Sequence, residues 1–120
     1  SDITQESNAA WHFDYMPSGY EMSDTFVLGA ATYVVYTDEG ATEITLLLSS
    51  ADDTSLGIDN EHSMFHMVYE HGIEYHIYES VSDDYPSQVI WTQDGVSMNL
   101  RGDCSVDELL RMAQSARSQD

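Results

Sequence analysis

Four of the five histidines, His62, His66, His71 and His76, fall within fifteen residues of one another and are the first candidates for metal chemistry. Zinc holds its ligands at about 2 Å, so ligands must converge on one point. On a strand, His62 and His66 face the same way but stand about 13 Å apart at 3.3 Å per residue. A two-residue turn at His71-Gly72 pairs Met67, not His66, with His76, so His66 and His76 fall on opposite faces. This spacing leaves the four as surface or half-buried histidines. Asp52-Asp53 with Asp59, Asn60 and Glu61 offers oxygen ligands of the kind calcium takes from a flexible loop. Leu56 and Ile58 interrupt it, and the spacing of a calcium loop is absent, so a solvated acidic loop is expected. Cys104 is the single cysteine, which excludes an internal disulfide and any multi-cysteine site. It lies just before a helix start, where a small apolar residue suffices, and no His or acid accompanies it at a recognisable spacing. No serine sits in Gly-x-Ser-x-Gly, and no glycine-rich phosphate loop is present: Gly95 and Gly102 read as turn glycines. No catalytic, metal-binding or cofactor-binding residue is therefore assigned, and no cofactor is expected. Tyr33, Tyr36, Tyr69, Tyr75 and Tyr78 are candidates to line a sheet face that binds peptide or glycan, against the ordinary role of strand tyrosines in packing. Trp11 and Trp91 are read as core anchors.

The elements that must position these residues follow from the periodicity. Trp11, Phe13 and Tyr15 alternate with His12 and Asp14 and stop at Met16-Pro17-Ser18-Gly19, where Pro17 is expected at the second position of a turn. Thr25 to Thr37 is rich in β-branched and aromatic residues with a break or bulge at Gly29, and Thr42 to Ser49 returns after Thr37-Asp38-Glu39-Gly40. In that return strand Ile44, Leu46 and Leu48 share one face. Ser50 to Glu61 reads as a loop; Ser63 to Glu70 and Ile73 to Glu79 follow as strands, and Val81 to Pro86 as a connector. Gln88 to Gln93 and Val96 to Arg101 flank Asp94-Gly95, the pair a type I′ turn requires. That turn sets Trp91 opposite Met98 and Val89 opposite Leu100, with Ile90, Thr92, Ser97 and Asn99 on the other face. Ser105 and Glu108 mark a capping box, with Cys104 and Leu109 as its staple. Val106, Leu109, Leu110, Ala113 and Ala116 then form one helical stripe, and Ser115 to Asp120 a fraying end.

The expected fold is α+β: an antiparallel β-meander of about six strands with one C-terminal amphipathic helix packed on the sheet, a barrel-like closure being the alternative. Residues 1–10 are read as a disordered or linker-like N-terminus and 11–120 as a single α+β domain.

Composition narrows the partners. The 120 residues carry 22 Asp and Glu against three arginines and no lysine, a net charge of −19. No basic patch exists to meet phosphates, so nucleic acid is excluded as a partner, and anionic lipid surfaces are repelled. Apolar runs are a handful of residues long, against about 20 needed to cross a bilayer. With 42% hydrophobic residues the chain has enough for a core of ordinary size.

Two segments resemble a known family. Phe13-Asp14-Tyr15-Met16-Pro17-Ser18-Gly19-Tyr20 is similar to its aromatic-x-x-Pro-x-Gly-aromatic opening. Val89-Ile90-Trp91-Thr92-Gln93-Asp94-Gly95, Leu100-Arg101-Gly102 and Ser105 to Ser115 resemble its closing signature. The family is a domain of unknown function of Gram-positive bacteria. In many members it forms the C-terminal, extracytoplasmic part of membrane-anchored proteins resembling anti-sigma factors. The resemblance implies no catalytic residues. It implies an extracytoplasmic location, anchored through an upstream segment, with which the polar start Ser1 to Asn8 is consistent. The expected function is then a non-enzymatic sensory, regulatory or protein-interaction domain whose partner is a protein, peptide or cell-envelope ligand. One alternative is a lipoprotein-like carrier that leaves Leu47, Val34 or Met112 around an apolar groove between sheet and helix. Another is a structural spacer. The oligomeric state is left open by the sequence.

Overall fold

The computed structural model describes residues 11–40, 42–50, 63–81 and 86–118, with the backbone alone at 50, 63 and 118. The acidic loop from Asp52 to Glu61 and His62 lie outside the described residues. The strands are β1 (Trp11–Phe13), β2 (Glu21–Leu28), β3 (Ala31–Thr37), β4 (Glu43–Ser50), β5 (Ser63–Glu70), β6 (Ile73–Ser80), β7 (Ser87–Gln93), β8 (Val96–Gly102) and β9 (Ala116–Ser118), with helix α1 (Val106–Gln114) between β8 and β9. The protein is mostly β. Seven strands form one antiparallel sheet in the order β2-β3-β4-β8-β7-β6-β5, and β1 pairs with β9 in a small second sheet.

This differs from the expected meander in two ways. The main sheet has seven strands, because Gly29, with φ of 64°, turns the apolar run into two strands that pair Leu28 with Ala31. The order is also not sequential: β2-β3-β4 and β5-β6-β7-β8 are two meanders, joined where β4 pairs with β8. Among the described residues the sheet ends at β2 and β5 and does not close into a barrel.

Turn chemistry explains the hairpins. His71-Gly72 and Asp94-Gly95 both have positive φ at both positions, as a type I′ turn demands. The β3–β4 loop is held by the Asp38 carboxylate, which accepts from the backbone N–H of Gly40 at 3.0 Å and of Thr42 at 2.9 Å. Near the N-terminus the turn frame lies one residue later than expected. Tyr20 N–H donates to Pro17 O at 3.2 Å, so Ser18 and Gly19 are its centre. Gly19, with φ of 88°, supplies the positive φ that a type II turn needs there.

One face of the main sheet is the core side. Across it the register aligns Val34, Leu46, Leu100, Val89 and Ile77, all buried, with His66 at the β5 margin. Trp91 pairs with Met98, and Val89 with Leu100, as the turn dictated. Helix α1 lies on this face against β6, β7 and β8 and contributes Leu109, Met112 and Ala113, each with no exposed surface. Ser105 caps it, accepting from Glu108 N–H at 3.3 Å. The stripe ends earlier than expected: Ser115 is the C-cap, and Ala116 belongs to β9, where it pairs with Phe13. Ala116–Ser118 is thus a strand and not a fraying helix end. Phe13 in turn meets Tyr36 edge-on at 6.0 Å, so the small sheet closes one end of the core. Gly102 is a strand residue and not a turn glycine. A Cβ there would lie 2.9 Å from Ile44 Cγ1 and 3.3 Å from Glu43 O, so the approach of β4 to β8 excludes a side chain. The radius of gyration, 13.8 Å, is that of a folded domain of this length.

Candidate binding face

The opposite face of the main sheet carries no packed element among the described residues. Strand alternation fixes what it presents. One row crosses all seven strands as Phe26, Tyr33, Leu47, Asn99, Ile90, His76 and Met67. Beside it runs Asp24, Val35, Thr45, Arg101, Gln88, Tyr78 and Phe65. The margins are aromatic and sulfur-bearing. Phe26 stacks on Tyr33 at 5.1 Å, and Phe65 packs on Tyr78 at 5.2 Å and on His76 at 5.7 Å.

The centre is polar. Asn99 Nδ2 donates to Gln88 Oε1 at 3.1 Å, while Asn99 Oδ1 is buried without a partner among the described residues. Arg101, between Thr45 and Gln88, makes no ion pair among the described residues, although the chain is rich in acids. The other two arginines are engaged: Arg117 pairs with Asp14 at 2.5 Å, and Arg111 lies over the Tyr15 ring at 5.2 Å. A half-buried guanidinium without an ion pair among the described residues, flanked by aromatic margins, suits a ligand that has both polar acceptor groups and apolar side chains.

Exposed large apolar residues gather at the two ends of this sheet. Met22, Phe26, Val27 and Leu28 are on β2, and Met64, Phe65, Met67 and Tyr69 on β5; Val81 is the remaining one among the described residues.

The sequence candidates divide accordingly. Of the five tyrosines, Tyr33, Tyr69 and Tyr78 lie on the uncovered face, but Tyr36 and Tyr75 point into the core. Burial pushes the Tyr36 hydroxyl up to about 12. His66 and His76 stand on opposite faces, each beside its own carboxylate: His66 Nε2 lies 3.1 Å from Glu79 and His76 Nε2 3.2 Å from Glu74. Among the described residues no three His, Cys, Asp or Glu side chains gather around one point. Cys104 is half-buried against the core, and burial pushes its thiol up to about 11, which keeps it protonated and a poor nucleophile at neutral pH. Asn99 and Arg101 were within reach of sequence reasoning, as alternate residues between Met98, Leu100 and Gly102, but the rows they join depend on the β4–β8 pairing. No described helix is long and apolar enough to cross a membrane.

A family model described as a domain of unknown function, DUF4367, matches residues 10–115, and the chain belongs to that family. No curated protein matches the chain.

Proposed function

We propose that this chain is a non-enzymatic interaction domain that binds an extended protein, peptide or cell-envelope ligand across the uncovered face of its sheet. In this reading it is the extracytoplasmic sensory or regulatory part of a membrane-anchored protein of Gram-positive bacteria, in the manner of anti-sigma-factor-like relatives. The carrying observation is the half-buried Arg101 guanidinium set between the exposed apolar margins at Phe26 and Phe65, on a face with no packed element among the described residues. A carrier with a groove between sheet and helix fits less well. Met112 has no exposed surface and Val34 is 4% exposed, so side chains fill that interface. Leu47 lies on the other face.

The test has two parts. A cysteine placed at exposed Ser18 of the full-length protein in its own cells should react with a membrane-impermeant maleimide before lysis. A Phe26→Ser, Arg101→Gln double variant should fold but lose the partner that co-purifies with the wild type. Labelling only after lysis, or an unchanged set of partners, would contradict the reading.

A further inference from the structure

We infer that β5 is a self-pairing edge, through which two copies of the chain join into one continuous sheet about a two-fold axis at Met67. This concerns the end of the sheet and goes beyond ligand binding on its face.

The two edge strands are built differently. Folded proteins usually blunt an edge with charge, proline or a bulge, because its free N–H and C=O groups accept any matching strand. On β2 the register shifts between Met22 and Asp24, and Glu21 and Asp24 add charge. On β5 there is neither a bulge nor a proline, and little charge. It pairs with β6 at eight successive positions without a shift and contains no proline or lysine. Its single acid is Glu70, whose carboxylate accepts from Gln114 Nε2 at the end of α1. Yet Met64, Phe65, Met67 and Tyr69 are each more than half exposed.

The strand is complementary to itself. Antiparallel pairing about Met67 sets Met67 opposite its copy and Phe65 opposite Tyr69 of the second copy, twice over, on the uncovered face. On the other face His66 meets Val68, and Glu70 meets Met64. Aromatic pairs are among the more favourable cross-strand neighbours, and no carboxylate faces another in this register. A basic foreign strand would find on β5 only the already engaged Glu70. The isologous contact closes after two copies, the commonest symmetry of soluble oligomers. The charge of −19 on each copy opposes association, so salt should strengthen the contact, the reverse of an ion-paired interface.

Sedimentation equilibrium tests this. The purified chain should show a monomer–dimer equilibrium whose dimer fraction rises with NaCl, and Met67→Lys should abolish the dimer with its circular dichroism unchanged. Register is tested in a Cys104→Ser background. Residues opposite each other in an antiparallel pair have Cα atoms about 4.5 or 5.5 Å apart, within disulfide reach. Mild oxidation should therefore cross-link Met67→Cys into dimers. Phe65→Cys, about 13 Å from its copy along the strand, should stay monomeric. A wild type that remains monomeric at every concentration and salt level would overturn the proposal. So would equal cross-linking at both positions, or occupation of β5 by a different protein.

Discussion

The Tyr15 hydroxyl donates to Glu108 Oε1 at 2.6 Å, joining the segment before the Pro-Gly turn to the first turn of the helix 93 residues later. The Tyr15 N–H also donates to Ser115 Oγ at 3.0 Å, and Asp14 N–H to Ser115 O at 3.2 Å, so one short stretch straps both ends of α1. Glu108 thereby spends its carboxylate on a tertiary contact where a capping box would direct it back to the Ser105 backbone. The strap holds the helix on the core side of the sheet.

Tyr15→Phe should lower the melting temperature while leaving the fold intact, and Glu108→Gln should do so less. The bond to Glu108, then burial, raises the Tyr15 hydroxyl above its ordinary value of 10.0. A group raised in the folded state stabilises fully below its unfolded value and loses that contribution as pH climbs through the folded one. The difference between wild type and Tyr15→Phe should therefore be constant at neutral pH and shrink above about pH 10. A difference that grows with alkalinity would be inconsistent with the bond.

The same sign governs the buried acids. Cys104 rises from 9.0 to about 11 and Tyr36 from 10.0 to about 12, both mainly by burial. Stability measured by urea titration should be insensitive to these groups below about pH 9 and fall steadily from there to pH 12. Over the neutral range Cys104 should react with a thiol reagent far more slowly in the native protein than in urea. Fast native labelling would mean that the thiol is neither shielded nor held protonated.

Gly102→Ala should destabilise the protein by about 1–3 kcal/mol, the usual range for forcing a methyl into a packed core. The new Cβ would press on Ile44 and on the Glu43 carbonyl, which belong to the strand that couples the two meanders. Chemical denaturation would measure the loss, and a neutral result would show that β4 and β8 can part without cost.

Net charge makes a further prediction. With 22 acids against three arginines, self-repulsion should make the melting temperature rise between low and moderate NaCl, as screening shortens to about 8 Å. A flat profile would indicate acids already well separated or paired.

Local structure was legible where a few residues decide it. Asp94-Gly95 sets its own hairpin register, and Ser105 its helix start, because turn and cap chemistry act over three or four residues. His66 and His76 could be parted in the same way, from one two-residue turn. The β4–β8 pairing could not, since it joins Leu46 to Leu100 across 54 positions and no local period encodes it. Tyr36 and Tyr75 take the packing role ordinary for strand tyrosines. Alternation sets them on the opposite face from Tyr33 and Tyr78, but which face is the core depends on where the helix lies. Ala116 continues the apolar stripe of the helix, yet pairing with β1 satisfies its backbone as a strand. The candidate face combines both kinds of information: its residues alternate visibly along each strand, but its rows exist only once the strand order is known.

The central claim, that the uncovered face is the working surface, is tested most directly by site-specific photo-crosslinking of the full-length protein in its own cells. A crosslinking residue at Phe26, Tyr78 or Thr92 should capture one common partner, and the same residue at Asp107 or Arg111 on the exposed side of the helix should capture none. Capture from the helix positions with none from the sheet would place the working surface on the other side of the molecule and contradict the account.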